Sequence, residues 1–252
     1  MSALSYISEY SSQSEESDCE TQEIVWKRPR LPIPDLSFVS SAEEDIQIDL
    51  PHLHGGRIRS FPHVRGNWPT FVYVNYDGDS YHCLKAVNKL KDIVIAHSTT
   101  QDWQICEDFH ISLSRTVVLK YHWINTFNKS LQKALSDFLS FDIYFSSVKV
   151  YCNEENSRTF ISLEVDILCQ KYLTNISKEV DKLLAEFKLP IFYEKPSFHM
   201  SILWANGNKK SDICKIVEEL NDVLNQEMSS RTVHVDKVLC KIGNKLFQYQ
   251  LI

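Results

Sequence analysis

The sequence predicts an α+β fold with two pseudo-symmetric lobes, whose antiparallel sheets face a central groove. Two observations predict it. Segments with the two-residue alternation of strands take turns with segments of helical spacing along most of the chain. Two strand-like segments also share one pattern, Phe109-His110-Ile111-Ser112 and Phe198-His199-Met200-Ser201. We expect each lobe to contribute one of these two segments.

The elements follow in order from residue 70. Alternation predicts a strand over Thr70 to Tyr76, and apolar residues at helical spacing predict a helix around Leu84 to Val94, before the first repeated segment. Pro190 ends a later helix, and Gly243-Asn244 marks the turn between the last two strands. The remaining predicted helices lie near 124–138, 173–187 and 211–226, and the remaining strands near 143–151, 159–165, 233–240 and 245–251.

The first fifty residues differ in composition from the rest of the chain. They are acidic and serine-rich, then contain three prolines, and they lack a periodic apolar pattern. We therefore expect a disordered acidic tail over 1–50 and one folded domain over 51–252. The tail holds eleven acidic and three basic residues, which leaves the predicted domain a net charge of +2 in a chain of −6.

Composition limits the cellular environment that we expect for the chain. No run of about 18 apolar residues and no signal-peptide pattern occurs, so we expect neither a membrane span nor secretion. The seven cysteines include no Cys-x-x-Cys pair and are typical of reduced thiols. Lys27-Arg28-Pro29-Arg30 is a basic island that could act as a nuclear-import signal, and we expect a nuclear location.

The repeated segments carry the candidate chemistry. Strand alternation turns His110 and Ser112 to one face and Ile111 to the other, and His199 and Ser201 share a face in the same way. Two facing imidazoles suit proton acceptance and donation on one substrate, because the imidazole pKa is near ~6.5. Cleavage of an RNA phosphodiester needs both transfers, and serine hydroxyls can hold the phosphate oxygens. This arrangement requires no metal and no cofactor.

Two basic clusters could contact a nucleic-acid backbone. Arg57, Arg59 and Arg65 alternate with aromatic residues, and three lysines surround the final hairpin, Lys237, Lys241 and Lys245. Each cluster is equally compatible with an ordinary solvated surface. The modest positive charge of the predicted domain suits contact with one or two phosphates better than the coating of a long strand.

The sequence resembles the two-histidine phosphoesterase superfamily and, within it, the U6 small nuclear RNA phosphodiesterases, the Usb family. The resemblance spans the chain from about Gly55 to the C-terminus. The segments that carry it are 55–68, 109–119, 157–161, 192–193 with 196–199, and 240–245. It implies a bilobal fold and an RNA exonuclease that trims the 3′ end of U6 RNA.

The same resemblance implies roles for individual residues. It makes His110 and His199 the catalytic pair. The implied substrate-binding residues are two serines that contact phosphate, an aromatic platform for the terminal nucleoside, a serine that lines the pocket, and one residue of the 153–155 loop: Ser112, Ser201, Tyr193, Ser197 and Glu154. At Glu154 this chain has a carboxylate where the family pattern has an amide, which would change the base contacts.

Three functions fit the sequence. The first is a metal-independent 3′–5′ exonuclease that removes terminal uridines or adenosines from U6 RNA and leaves a 2′,3′-cyclic phosphate. The second is a phosphodiesterase that opens cyclic phosphates with water. The third is an RNA-binding module without catalysis, against which the two complete His-x-Ser segments argue. The expected partner is the 3′ end of U6 RNA, bound by a monomer.

Overall fold

A computed structural model describes residues 64–252, apart from Asp79, Thr99 and Ser229. These residues all fall within one compact unit. The tail predicted over 1–50, its basic island and the domain boundary predicted at residue 51 lie outside the described residues. So do Arg57 and Arg59 of the arginine cluster.

The described residues form ten strands and five α-helices. The strands are Asn67–Asn75 (β1), Gln104–Ile105 (β2), His110–Ser112 (β3), Val117–Lys120 (β4), Phe141–Cys152 (β5), Arg158–Val165 (β6), His199–Asn206 (β7), Thr232–Val235 (β8), Lys237–Ile242 (β9) and Lys245–Gln250 (β10). The helices are Ser80–His97 (α1), Ile124–Leu135 (α2), Gln170–Glu186 (α3), Lys210–Ile213 (α4) and Val217–Glu227 (α5). The first three predicted helices are therefore confirmed, with bounds that differ by a few residues.

All strand pairs are antiparallel, and the strand order is β10-β9-β1-β3-β7-β6-β5-β8, with β4 beside β1 and β2 beside β7. One half of this order, β10 to β3, ends on the first His-x-Ser strand. The other half, β7 to β8, begins with the second. The predicted α+β class and the two antiparallel halves are confirmed, and the structure adds that the halves join edge to edge at these two strands.

One face of the sheet is apolar. Val72 and Val74 of β1 and Met200 and Ile202 of β7 are almost fully buried. They belong to a continuous apolar core with the helices, in which α1 packs beside α5 and α2 beside α3. Burial of each such side chain contributes about 1.5–3 kcal/mol. Because strand side chains alternate, the intervening polar residues are carried on the opposite face.

The C-terminal region differs from the sequence prediction. The helix predicted over 211–226 is interrupted by a 3₁₀ turn at Cys214–Ile216, which separates α4 from α5. The strand predicted over 233–240 is two strands, because the chain leaves one half of the sheet at Asp236 and enters the other. β8 pairs with β5, whereas β9 pairs with β1 and β10. The apolar alternation shifts by one residue at Asp236-Lys237, from positions 233 and 235 to positions 238, 240 and 242. The prediction of one strand over 233–240 did not take this shift into account.

The turn predicted at Gly243-Asn244 joins β9 to β10. Gly243 has a φ of +58°, and a Cβ atom built there would lie 2.6 Å from Cε3 of the Trp68 ring. Glycine is therefore required both by the backbone conformation and by the close approach of the indole. This contact places the final hairpin directly against β1.

No helix among the described residues is long and apolar enough to cross a membrane.

Candidate active site

The two His-x-Ser strands lie side by side. β3 and β7 pair at Ile111 and Met200, whose side chains are buried in the core. The alternation of each strand then turns His110 and Ser112, and likewise His199 and Ser201, to the opposite face. The structure therefore brings together four of the residues that the sequence singled out, from segments almost ninety residues apart.

Both imidazoles are held by the same backbone contact. Nδ1 of His110 lies 3.0 Å from the carbonyl oxygen of Asp108, and Nδ1 of His199 lies 2.6 Å from that of Ser197. A carbonyl oxygen only accepts, so Nδ1 carries the proton and donates it in each case. In the neutral imidazole, Nε2 is then the nitrogen with the free lone pair. Each histidine is thus fixed in the tautomer that presents Nε2 to a substrate.

The two rings have different neighbours. The imidazole of His199 stacks on the ring of Tyr151, with centroids 3.9 Å apart and planes 16° apart. The imidazole of His110 meets the edge of Tyr73, at 5.3 Å between centroids, and is 5.8 Å from Phe71. His199 is therefore supported over its whole ring, whereas His110 is supported at its edge.

Burial lowers the pKa of both imidazoles below the usual 6.5, although the carbonyl hydrogen bonds act in the opposite direction. The charge of Lys149 lowers the pKa of His199 further, and His110 itself adds to this effect. At His110 the carboxylate of Asp108 raises the pKa, and Lys241 lowers it. Since each imidazole disfavours a second positive charge nearby, the pair is suited to carry one proton between its two rings.

The serines are held in different ways. Oγ of Ser201 lies 3.1 Å from Oγ of Ser162, a fully buried residue of β6 that pairs with Ser201 across the sheet. Oγ of Ser197 lies 2.8 Å from Oη of Tyr151, so the serine predicted to line the pocket also connects Tyr151 to His199. Neither Ser162 nor Tyr151 was identified from the sequence, because both reach the site through strand pairing.

Tyr193 and Glu154 are brought together by Arg115, which sequence analysis also missed. Tyr193 lies on the loop between α3 and β7 and is half exposed, and the guanidinium of Arg115 is 4.6 Å from the centre of its ring. Arg115 also forms an ion pair with Glu154 in the turn between β5 and β6. A basic residue three positions after Ser112 was the one available sequence signal.

A pocket of about 400 Å³ lies beside His110. Its walls come from β1, β9 and β10 and include Phe71, Tyr73, Lys237, Lys241 and Lys245. All three lysines of the final hairpin therefore line it, and we call it the lysine pocket. Within the described residues, no group of three or more His, Cys, Asp or Glu side chains is arranged to hold a metal ion.

Two histidines and two serines therefore lie on adjacent antiparallel strands at the junction of the two halves of the sheet. A family model described as "HVSL: Uncharacterised conserved protein" matches residues 29–250. U6 snRNA phosphodiesterase 1 of Homo sapiens is 37% identical over 232 residues, which cover 89% of this chain and 85% of that protein. The chain belongs to the U6 snRNA phosphodiesterase family.

Other relatives agree with this assignment. U6 snRNA phosphodiesterase 1 of Drosophila melanogaster is 35% identical over 263 residues, and the alignment covers 100% of this chain and 100% of that protein. The protein of that name from Danio rerio is 37% identical over 228 residues, covering 88% of this chain and 81% of the other. Among solved structures, Kluyveromyces marxianus Usb1 with uridine monophosphate has a TM-score of 0.50 and 16% identity, covering 73% of this chain and 98% of that one. This last likeness concerns the fold alone.

Proposed function

We propose that this protein is a metal-independent 3′–5′ RNA exonuclease that trims the 3′ uridine or adenosine tail of U6 small nuclear RNA and leaves a 2′,3′-cyclic phosphate. One observation carries the proposal. Two imidazoles, each fixed through Nδ1 by a backbone carbonyl, share one face with two serines on paired strands. Membership of the U6 snRNA phosphodiesterase family supports the choice of RNA.

The proposed step uses both histidines. Nε2 of one imidazole takes the proton of the penultimate 2′-hydroxyl, and the 2′-oxygen forms a bond to phosphorus. The bond from phosphorus to the 5′-oxygen of the terminal nucleoside breaks, and the other imidazole, protonated beforehand, donates its proton to that oxygen. The products are a shortened RNA with a cyclic phosphate and a free nucleoside.

Ser112 and Ser201 are proposed to donate hydrogen bonds to the non-bridging phosphate oxygens. Ser201 can do so while accepting from Ser162, since a hydroxyl both donates and accepts. Donors placed in advance at developing negative charge lower the barrier without reorganising in the reaction. Their position beside the imidazoles, two residues along the same strand face, supports this role.

Tyr193 is proposed to stack on the terminal base, a contact worth roughly 1–3 kcal/mol per base and tolerant of base identity. Arg115 lies over this ring and pairs with Glu154, so the carboxylate is neutralised next to the platform. We propose that Glu154 acts through Arg115 and not by direct recognition of the base. The proposed setting is a nuclear monomer.

The decisive experiment uses three 3′-hydroxyl oligouridines in the presence of EDTA: all-ribose, terminal 2′-deoxy and penultimate 2′-deoxy. The proposal requires stepwise shortening of the first two, a cyclic phosphate on each product by mass, and no shortening of the third. Shortening of the penultimate deoxy substrate would refute attack by the 2′-hydroxyl. Loss of activity in EDTA that added magnesium restores would point to another nuclease class.

A supplied 2′,3′-cyclic phosphate end is the matching substrate for the alternative activity. Rapid opening of this end without shortening of any oligouridine would favour a cyclic phosphodiesterase instead. Binding of RNA without either reaction would favour a non-catalytic module.

A further inference from the structure

The lysine pocket lies on one side of the catalytic pair, and the proposed function leaves it without a ligand. It includes His110, and Lys241 lies close enough to lower the pKa of that imidazole by charge repulsion. The pocket is thus in direct continuity with the reacting groups. The Tyr193 platform does not line it.

The lining of this pocket carries three lysines and two carboxylates, Asp77 and Asp108, so its one net positive charge suits one phosphate group. Nζ of Lys237 lies 2.5 Å from a carboxylate oxygen of Asp77, so its charge is already paired. Lys245 lies over the rings of Trp68 and Tyr121, at 5.7 and 5.8 Å. Within the described part of the chain, Lys241 has no carboxylate partner and is exposed. Lys241 is therefore the positive charge most available to a ligand next to His110.

The uncharged part of the lining suits a nucleoside. Phe71 and Tyr73 form a stacked pair, with ring centroids 4.9 Å apart, along one wall. The amide side chains of Asn75 and Gln248 are also in the lining and can both donate and accept hydrogen bonds. A basic groove with aromatic residues is the usual surface for single-stranded nucleic acid.

Away from the lysine pocket, an ion pair between Arg115 and Glu154 joins two loops beside Tyr193. Arg115 follows β3, and its partner Glu154 lies in the turn between β5 and β6. Since β7 lies between β3 and β6 in the sheet, this ion pair links the two sides of the second histidine strand beside Tyr193. The guanidinium of Arg115 thus stands directly over the Tyr193 ring, whereas the lysine pocket is lined by exposed side chains of the last hairpin.

We propose that the lysine pocket binds the retained part of the RNA, upstream of the scissile phosphate, with Lys241 contacting a backbone phosphate. This inference rests on the proposed function, which places the terminal nucleoside at Tyr193. The RNA body then leaves through the pocket, and the bridged side receives a single nucleoside.

The test compares Lys241→Ala with Lys133→Ala, which removes the same charge from the exposed side of α2. The substrates are the dinucleotide UpU, which contains only the scissile phosphate, and octauridine. We expect Lys241→Ala to lower kcat/KM for octauridine about 5- to 10-fold and for UpU less than about 2-fold, and to weaken the salt dependence for octauridine. Lys133→Ala should match the wild type on both substrates, and UpU turnover shows that each variant is folded.

The outcomes are separable. Equal losses on UpU and octauridine, or no loss on either, would overturn the pocket as a site for the retained strand. If the wild-type protein shortened neither substrate, the proposed function would fail, and the pocket would be judged by the dissociation constant for fluorescent octauridine. A 5- to 10-fold weaker binding by Lys241→Ala alone, relative to Lys133→Ala, would then still support it, and equal binding would refute it.

Discussion

The surroundings of His199 and His110 differ more than the near-identical segments that contain them. The imidazole of His199 is stacked on the ring of Tyr151. Ser197, whose carbonyl holds His199, is hydrogen-bonded to the hydroxyl of Tyr151, and Ser201 is hydrogen-bonded to Ser162. His110 has a carbonyl contact of the same kind, but aromatic edges and an open pocket surround the rest of its ring. The same His-x-Ser segment thus has two different surroundings. We call the half of the sheet that contains His199 the closed half, and the half that contains His110 the open half.

This difference indicates how a duplicated motif can serve an asymmetric substrate. In the proposed reaction the leaving nucleoside is one residue long, whereas the rest of the RNA extends away from the scissile phosphate. Both imidazoles are held by a backbone carbonyl, but only the open half leaves space beside its histidine for the retained strand of the proposed substrate. We therefore expect mutations in the two halves to fail in different ways.

Loss of either imidazole should give the largest decrease in the rate of trimming, and the decrease should be similar for the two histidines. His110→Ala and His199→Ala should each reduce trimming by about 10³-fold or more, because each removes one of the two proposed proton transfers, worth roughly 10²–10⁴-fold apiece. Single-turnover assays on octauridine would measure this. His97→Ala, an exposed histidine of α1, is the matched control and should retain full activity. Wild-type trimming by either active-site variant would exclude the paired mechanism.

Replacement of Ser112 or Ser201 should lower activity in both cases but protein stability in only one. Ser112→Ala and Ser201→Ala should each lower kcat about 100-fold if both hydroxyls hold the phosphate. Ser201→Ala should also lower the free energy of unfolding by about 1 kcal/mol, because the buried Ser162 loses its partner. Ser112 has no side-chain hydrogen bond among the described residues, so its variant should unfold at the wild-type urea concentration. Equal destabilisation of both variants would contradict this asymmetry.

The sequence alone was sufficient to predict the strands that carry His110 and His199. Alternation and helical spacing depend on neighbouring residues, and the repeated His-x-Ser pattern predicted that His110 and His199 lie close together, as the pairing of β3 with β7 places them. The helices predicted around 84–94, 124–138 and 173–187 and the turn at Gly243 follow from the same local signals.

The supporting residues were hidden because they depend on pairing between distant strands. Ser162 is 39 residues from Ser201 in sequence, and Tyr151 is 46 residues from Ser197. Neither residue type is unusual in a strand, and the register that aligns Ser162 with Ser201 follows an irregularity in the β6–β7 pairing. The crossing at Asp236 did leave a local signal, because the apolar alternation shifts by one residue at Asp236-Lys237. The new strand partners of β9 depend on distant residues and could not be read from that shift.

A smaller effect should follow from loosening the closed half. Tyr151→Phe keeps the ring stacked on His199 but removes the hydrogen bond to Ser197, so kcat should fall about 3- to 10-fold, the equivalent of about 0.5–1.5 kcal/mol. Tyr151→Leu removes the stacked ring as well and should lower kcat further. Tyr144→Phe on the same strand is the control. A rise in KM at constant kcat would indicate a role in binding instead of positioning.

The smallest effects should appear as shifts in pH dependence, one for each half. Burial lowers the pKa of both imidazoles, so the singly protonated pair is most populated in the free protein below pH 6.5, and kcat/KM should decline as the pH rises from there.

Lys149 lowers the pKa of His199 and Lys241 lowers that of His110 by charge repulsion. Removing a positive charge favours the imidazolium, so Lys149→Gln should raise the pKa of His199, and Lys241→Ala that of His110. NMR titration of the two Cε1 protons would measure each shift separately, with Lys133→Ala as control. A downward shift, or a shift confined to the other histidine, would show that the two halves are not electrostatically distinct.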